Sequence, residues 1–183
     1  LKRLSVFRGG FTRAAVQAAA GASLRGLSQL VDKALLQRDP DTGRYSMHEL
    51  LRQYAEEQLK LSVVEERSAH EAHAKYFADF MQTCEMRLHD QRQRVALMEV
   101  EADLDNIRIA WNYWADKQDA SRLLEFIDGL FLFFEVRSSS IPAIQLFDAA
   151  AQKLVSDERE IVCARAQIRA RQAWFTALIG LPE

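Results

Sequence analysis

The chain has 183 residues, 49% of them hydrophobic and 27% charged, with only 7 Gly and 3 Pro. So few turn-formers argue against an all-β sandwich or barrel and against a disordered or collagenous chain, and the recurrent Ala, Leu, Arg, Glu and Gln favour helix. A net charge of −2 gives no global basic field for nucleic acid, yet the charge is uneven. Residues 1–60 hold 10 Lys/Arg and 6 Asp/Glu, a local +4, which leaves 14 and 20, a local −6, for the remainder. That asymmetry predicts two modules.

Cys84 and Cys163 lie far apart with no CxxC, a usage that predicts buried thiols in a reducing setting. No apolar run approaches the ~18 residues needed to span a bilayer, and Lys2, Arg3, Arg8 and Gly9-Gly10 do not make a signal peptide. A cytoplasmic location without membrane partners is expected. Leu1 is not a Met, and the first apolar residues read as the last turn of a helix already under way. The chain is therefore expected to be a piece of a longer protein.

Thr12 reads as the N-cap of a short Ala-rich helix closed by Gly21. Ser23 caps a second, with Leu24, Leu27, Val31, Ala34 and Leu35 at helical spacing. Two short extended runs, Leu36-Gln37-Arg38 and Arg44-Tyr45-Ser46-Met47, flank the turn Asp39-Pro40-Asp41-Thr42-Gly43 and predict a β-hairpin. His48 opens a third helix with Leu51, Tyr54, Ala55 and Leu59 on one face. Helix, helix, hairpin, helix is winged-helix order. Its generic use is DNA binding through the second helix, which here offers Arg25, Gln29 and Lys33 but also Asp32.

The blocks LSVFRGGFTRAAVQAAAG, LSQLVDKALLQRD and RYSMHELLRQYAEEQL, covering residues 1–60, resemble the winged-helix segment of bacterial STAND ATPases of the NB-ARC type. In that arrangement a P-loop domain precedes the winged helix and tetratricopeptide-like repeats follow. The resemblance implies that Met47, His48 and Glu49 match the family's MHD motif. His48 would then contact the β-phosphate of ADP held by the upstream nucleotide-binding domain, and Glu49 stands where the motif has Asp. A histidine at a helix N-terminus adds a directed donor beside backbone N–H groups that already favour an anion.

Val63 to Leu88 predicts one long helix with Ala69, Ala72, Tyr76, Phe77, Phe80, Met81, Cys84 and Leu88 as a core stripe. After the polar stretch His89 to Arg94, the block EVEADLDNIRIAWNYW places Leu104, Ile107, Trp111 and Trp114 on one face. It resembles the segment that joins winged helix to repeats in the same family. Asp119 can cap a helix from Ala120 to Val136 that is apolar on nearly every side and should be covered on both. Pro142 is tolerated in the first turn of the next, which should turn Ile144, Phe147, Ala151 and Leu154 inward. The last helix, from about Glu158, carries Ala166, Ala170, Ala173 and Ala177 at three- and four-residue steps. The ending AWFTALIGLPE resembles the first helix and turn of a tetratricopeptide repeat, with Gly180 in the turn. Such repeats bury their faces by stacking, so an open apolar face is expected here, which a second copy could cover.

No phosphate-binding G-x-x-x-x-G-K-[ST] occurs, and Gly9-Gly10 lacks the lysine that would complete one. His70-Glu71-Ala72-His73 departs from HExxH, because its histidines are three apart instead of four; two histidines on the solvent side of a helix are expected, with no metal. Neither a nucleophile elbow nor a distinctive carboxylate pair is found, so no catalytic residue is assigned. The fold class expected is mostly all-α: a winged helix with a small β-hairpin over 1–61, a helical linker over 62–102 and truncated tetratricopeptide-like repeats over 103–183, forming a superhelical array. The function implied is a non-catalytic regulatory arm of a signalling ATPase or transcription regulator. It would bind no cofactor itself, with ADP or ATP and Mg in the parent protein, and its repeats would receive a protein partner or small effector and could support a homo-oligomer. The alternative is a DNA-binding winged-helix regulator with a helical effector domain, which the acids Asp39 and Asp41 at the wing tip disfavour.

Overall fold

The computed structural model describes residues 1–180. The chain is mostly helical, and among the described residues nine α-helices and one two-stranded antiparallel sheet follow a short 3₁₀ helix, Lys2–Val6. The order is α1 (Arg13–Ala20), α2 (Leu24–Asp32), β1 (Gln37–Arg38), β2 (Tyr45–Ser46), α3 (Glu49–Lys60), α4 (Val63–Leu88), α5 (Gln93–Ala102), α6 (Leu104–Lys117), α7 (Ala120–Val136), α8 (Ser140–Lys153) and α9 (Arg159–Ile179). Two compact units divide it: Leu1–Tyr76 together with Ala102–Asn106, and Phe77–Glu101 together with the chain from Ile107 on.

In the first unit the predicted caps form. Thr12 Oγ1 accepts from the Ala15 N–H at 3.2 Å, Ser23 Oγ accepts from Gly26 N–H at 3.2 Å, and Gly21 closes α1 in the left-handed region at φ 65°. Thr12 and Ser23 each satisfy a donor that the first helical turn leaves orphaned. The hairpin pairs Gln37 with Ser46 and Arg38 with Tyr45, and Phe11 bridges Tyr45 from the other side. Asp39 Oδ1 accepts from Asp41 N–H at 2.8 Å and Thr42 N–H at 3.3 Å, so this wing-tip carboxylate is committed to its own turn. Leu4, Phe7, Phe11, Val16, Leu27, Leu36, Tyr45, Leu59 and Ala69 make the core.

Expectations for α2 and α3 are corrected. Helix α2 stops at Asp32, Ala34 takes φ 55° beyond its end, and Leu24 is 47% exposed, which leaves Leu27 as its buried residue. The chain must leave the helix there to seat Leu36 and start the hairpin. The opening residues are helical, as a short 3₁₀ turn over Lys2–Val6. Tyr54 is 56% exposed, because α3 turns Arg52, Ala55 and Leu59 inward and a residue adjacent to Ala55 lies ~100° around the helix from it.

The second unit is built on the predicted stripes. From α4, Phe77, Met81, Cys84 and Leu88 are buried; from α6, Ile107, Trp111 and Trp114; from α7, Leu123, Phe126, Ile127, Leu130 and Phe134. Trp111 donates through Nε1 to the Leu146 carbonyl at 3.3 Å and meets Phe126 and Phe147 edge-on, each with centroids 5.9 Å away. Such edge-to-face pairs add to area burial. Asp119 caps α7 as expected, accepting from Arg122 N–H at 3.0 Å. Cover of α7 is incomplete, with Leu124 40% exposed and Phe131 and Leu132 half-buried, and Ile144 of α8 is likewise half-buried. Cys163 is exposed, contrary to the buried thiol expected of it, because Ile161, Ala164 and Ile168 face inward. On α9, Ala166, Ala170, Ala173 and Ala177 are exposed alongside Trp174 and Leu178, so the open apolar face is present among the described residues. Leu181, Pro182 and Glu183, which end the repeat-like block, lie outside the described residues.

Gly129 of α7 sits close against α4: a Cβ there would meet Met81 Cε at 2.8 Å and the Met81 carbonyl oxygen at 3.2 Å. The sulfur-bearing side chain can move, but backbone oxygen in a packed helix yields less. Gly129→Ala is therefore expected to destabilise the chain by ~1–2 kcal/mol, overriding the helix-propensity gain of ~1 kcal/mol. Thermal unfolding checks the sign, and a stabilised variant would show that α4 can yield.

Candidate functional site

His48 is exposed at the N-cap of α3, where β2 and Met47 deliver it with extended backbone, φ −61° and ψ 138°. Its Nδ1 accepts from the Leu50 N–H at 3.3 Å. Accepting at Nδ1 puts the proton of the neutral ring on Nε2, so the imidazole presents a donor away from the helix. The remaining N–H groups of the first turn lie beside it, a combination suited to an anion.

Directly behind it runs an ion-pair ladder that sequence reasoning missed. Arg52 is buried, 8% exposed, and holds Glu49 bidentately through Nε and Nη2 at 2.8 and 2.6 Å. Its Nη1 reaches Glu56 at 2.5 Å, and Glu56 also receives Lys60 at 2.9 Å and Arg8 at 3.4 Å. Hydrogen bonds from Arg52 hold the Glu49 carboxyl down at about 2. For Glu56 burial pushes upward, but hydrogen bonds from Arg52 and Lys60 overcome it and leave that carboxyl at about 2 as well. The third position of the Met47-His48-Glu49 triplet thus anchors the first turn of α3 from the side. The Glu49, Arg52, Glu56 spacing of three and four was the available signal.

A second polar cluster sits in the core of the same unit. Asn106, fully buried, accepts from the Arg8 N–H at 2.8 Å and donates to the Gly10 carbonyl at 3.1 Å and to Asp103 at 3.2 Å. His73 Nε2 lies 3.4 Å from Asn106 Oδ1 and the ring stands edge-on to Phe7 at 5.0 Å. Burial pushes the His73 imidazole down to about 3, against the hydrogen bond to Asn106, which favours charge. His73 is therefore a core histidine, not the solvent-facing one expected, because its face of α4 packs against Phe7. His70 is half-buried. Among the described residues no group of three or more His, Cys, Asp or Glu is placed to hold a metal. Nor, among the described residues, is any helix long and apolar enough to cross a membrane.

On α2, Arg25, Ser28, Gln29 and Asp32 are exposed, followed by exposed Lys33 and, in the hairpin, Arg38. This face could meet nucleic-acid phosphate, although Asp32 and the wing-tip acids interrupt it.

Over 138 residues the chain is 31% identical to putative HTH-type transcriptional regulators of Mycobacterium bovis and Mycobacterium tuberculosis, an alignment covering 70% of this chain and 15% of each relative. The chain thus resembles transcriptional regulators over most of its length while spanning about 15% of theirs. No family model and no solved structure matches it.

Proposed function

We propose that this chain is a non-catalytic regulatory segment of a multidomain cytoplasmic transcriptional regulator. Its winged-helix unit docks against a neighbouring domain that carries ADP or ATP with Mg, and His48 is the phosphate contact. The observation that carries this reading is the exposed imidazole at the N-terminus of α3, its Nε2–H presented outward by the Nδ1 contact to Leu50 N–H. The Arg52 ladder keeps that turn in place. The helices of the second unit, read as tetratricopeptide-like repeats, would receive a protein or small effector through faces such as the open one on α9, or join two copies. A contact made in only one state biases a two-state equilibrium by its differential free energy. Losing a charge-assisted hydrogen bond shifts such an equilibrium by ~1.5–3 kcal/mol, roughly tenfold to over a hundredfold. His48→Ala in the intact parent protein should speed ADP release by that factor and raise basal output, read with a fluorescent nucleotide. Unaltered release and output would overturn the assignment.

The names of the relatives favour a second reading more directly: a winged helix that binds duplex DNA through α2 and the hairpin. The exposed Arg25, Gln29 and Lys33 support it. A salt-titrated gel shift separates the two, since phosphate-driven binding weakens steeply with salt. In that case Arg25→Ala and Lys33→Ala should each flatten the slope, and absence of binding at low salt removes the reading.

A further inference from the structure

Of the hairpin's two arginines, Arg44 is already engaged. Arg44 meets Asp103 in fork geometry, Nη1 to Oδ2 at 2.9 Å and Nη2 to Oδ1 at 2.6 Å, and Nη2 also donates to the carbonyls of Gly10 at 2.9 Å and Ala102 at 3.1 Å. The Arg44 side chain is 18% exposed and that of Asp103 5%. A planar guanidinium held at two parallel contacts is the arrangement it adopts on phosphate as readily as on carboxylate. Space around it is tight, since a Cβ on Gly10 would lie 3.3 Å from Arg44 Nε.

Asp103 is also the single residue between α5 and α6, and Asn106 one turn later donates to the Gly10 carbonyl that Arg44 also meets. Residues 102–106 therefore form a strap laid on the winged-helix unit by two side chains of their own and one arginine from the hairpin. If Arg44 swung to another anion with the strap in place, a nearly buried carboxylate would be left without its countercharge, which is strongly unfavourable. Intermediate arrangements are thereby disfavoured.

We propose that Asp103 is a resident stand-in for phosphate on Arg44, so that a phosphate group engaged by the hairpin and a strap seated on residues 8–10 and 44 exclude one another. The contact is autoinhibitory, and it reports anion occupancy at the hairpin to the start of α6. It applies to either reading above, because both bring phosphate to the winged helix, from a nucleic-acid backbone or from a nucleotide.

The test uses the 183-residue chain with three probes: a random-sequence 20-base-pair duplex, ADP and inorganic pyrophosphate. Asp103→Asn keeps the shape and removes the charge. It should raise affinity for at least one probe by about tenfold, and a second substitution, Arg44→Ala, should cancel the gain. A gain for the duplex alone, with its log–log salt slope steeper by about 0.9 per added phosphate contact, assigns the source to nucleic acid. A gain for pyrophosphate and ADP assigns it to nucleotide. If Asp103→Asn fails to fold, hydrogen exchange on the unmutated chain decides, because the amides of residues 102–106 should exchange faster when a probe is added. Equal affinity in parent and variant for all three probes, or unchanged exchange at the highest probe concentration, overturns the proposal. His48→Ala leaves Arg44 and Asp103 in place, so failure here is distinguishable from failure of the nucleotide contact.

Discussion

The chain should lose stability as pH falls from about 6.5 toward 3, and His73→Gln should remove most of that loss. The ordinary imidazole value is near 6.5, and burial, with Phe7 edge-on to the ring, holds His73 at about 3 in the folded chain despite the hydrogen bond with Asn106, which favours charge. Between those values the unfolded chain binds a proton that the folded one does not, so each step to lower pH favours unfolding. Above 6.5 both states are neutral and the residue is silent. Taken alone, the gap approaches on the order of 4–5 kcal/mol by pH 3, a sizeable fraction of a typical domain's stability. The carboxylates act in a separate window. Glu49 and Glu56 sit at about 2 in the folded state, so their contribution is complete above about 4.5 and fades as pH falls toward 2. Urea unfolding followed at a series of pH values should therefore show a parent curve that bends below 6.5. The His73→Gln curve should stay nearly flat until about 4.5, with a residual slope from His70, which burial also lowers. Parallel curves would show that His73 takes up its proton without opening the core.

Asn106→Leu should be the most damaging single substitution in the first unit, at ~3 kcal/mol or more. The side chain is fully buried and its amide serves the Arg8 N–H, the Gly10 carbonyl and Asp103 together. Leucine fills a similar volume, so the cost comes chiefly from stranding polar groups in a dry site. An unpaired buried donor or acceptor loses its hydration without compensation. For a chain of this length that corresponds to a fall in Tm of roughly 6–12 °C. Asn106→Asp should also destabilise, because it removes the donor to Gly10 and sets a second carboxylate beside Asp103. A loss below about 1 kcal/mol for Asn106→Leu would mean that water enters and re-pairs those groups.

The linear chain was most legible where local chemistry suffices. Thr12, Ser23 and Asp119 cap the helices assigned to them, and Gly21 closes α1. The Asp39 turn pairs two short strands, and periodic stripes from Phe77 to Phe134 mark the core of the second unit. These features depend on neighbours within about one helical turn or one hairpin, and the side-chain period carries them. The order of elements set His48 at a helix start, where it is the N-cap of α3, and its phosphate role is a proposal drawn from the resemblance.

A mostly helical chain, its caps, its hairpin and the residue that opens α3 are therefore written in local residue order. Tertiary structure alone decided which polar groups are buried. Arg52, His73, Asp103 and Asn106 look like ordinary surface residues in a linear reading, and only folding brings Arg44 to Asp103 across 59 positions and Arg8 to Asn106 across 98. The reason is physical. Periodicity reports the preferences of apolar side chains, whereas a polar side chain can be buried only where distant partners satisfy it, and no local pattern specifies those partners.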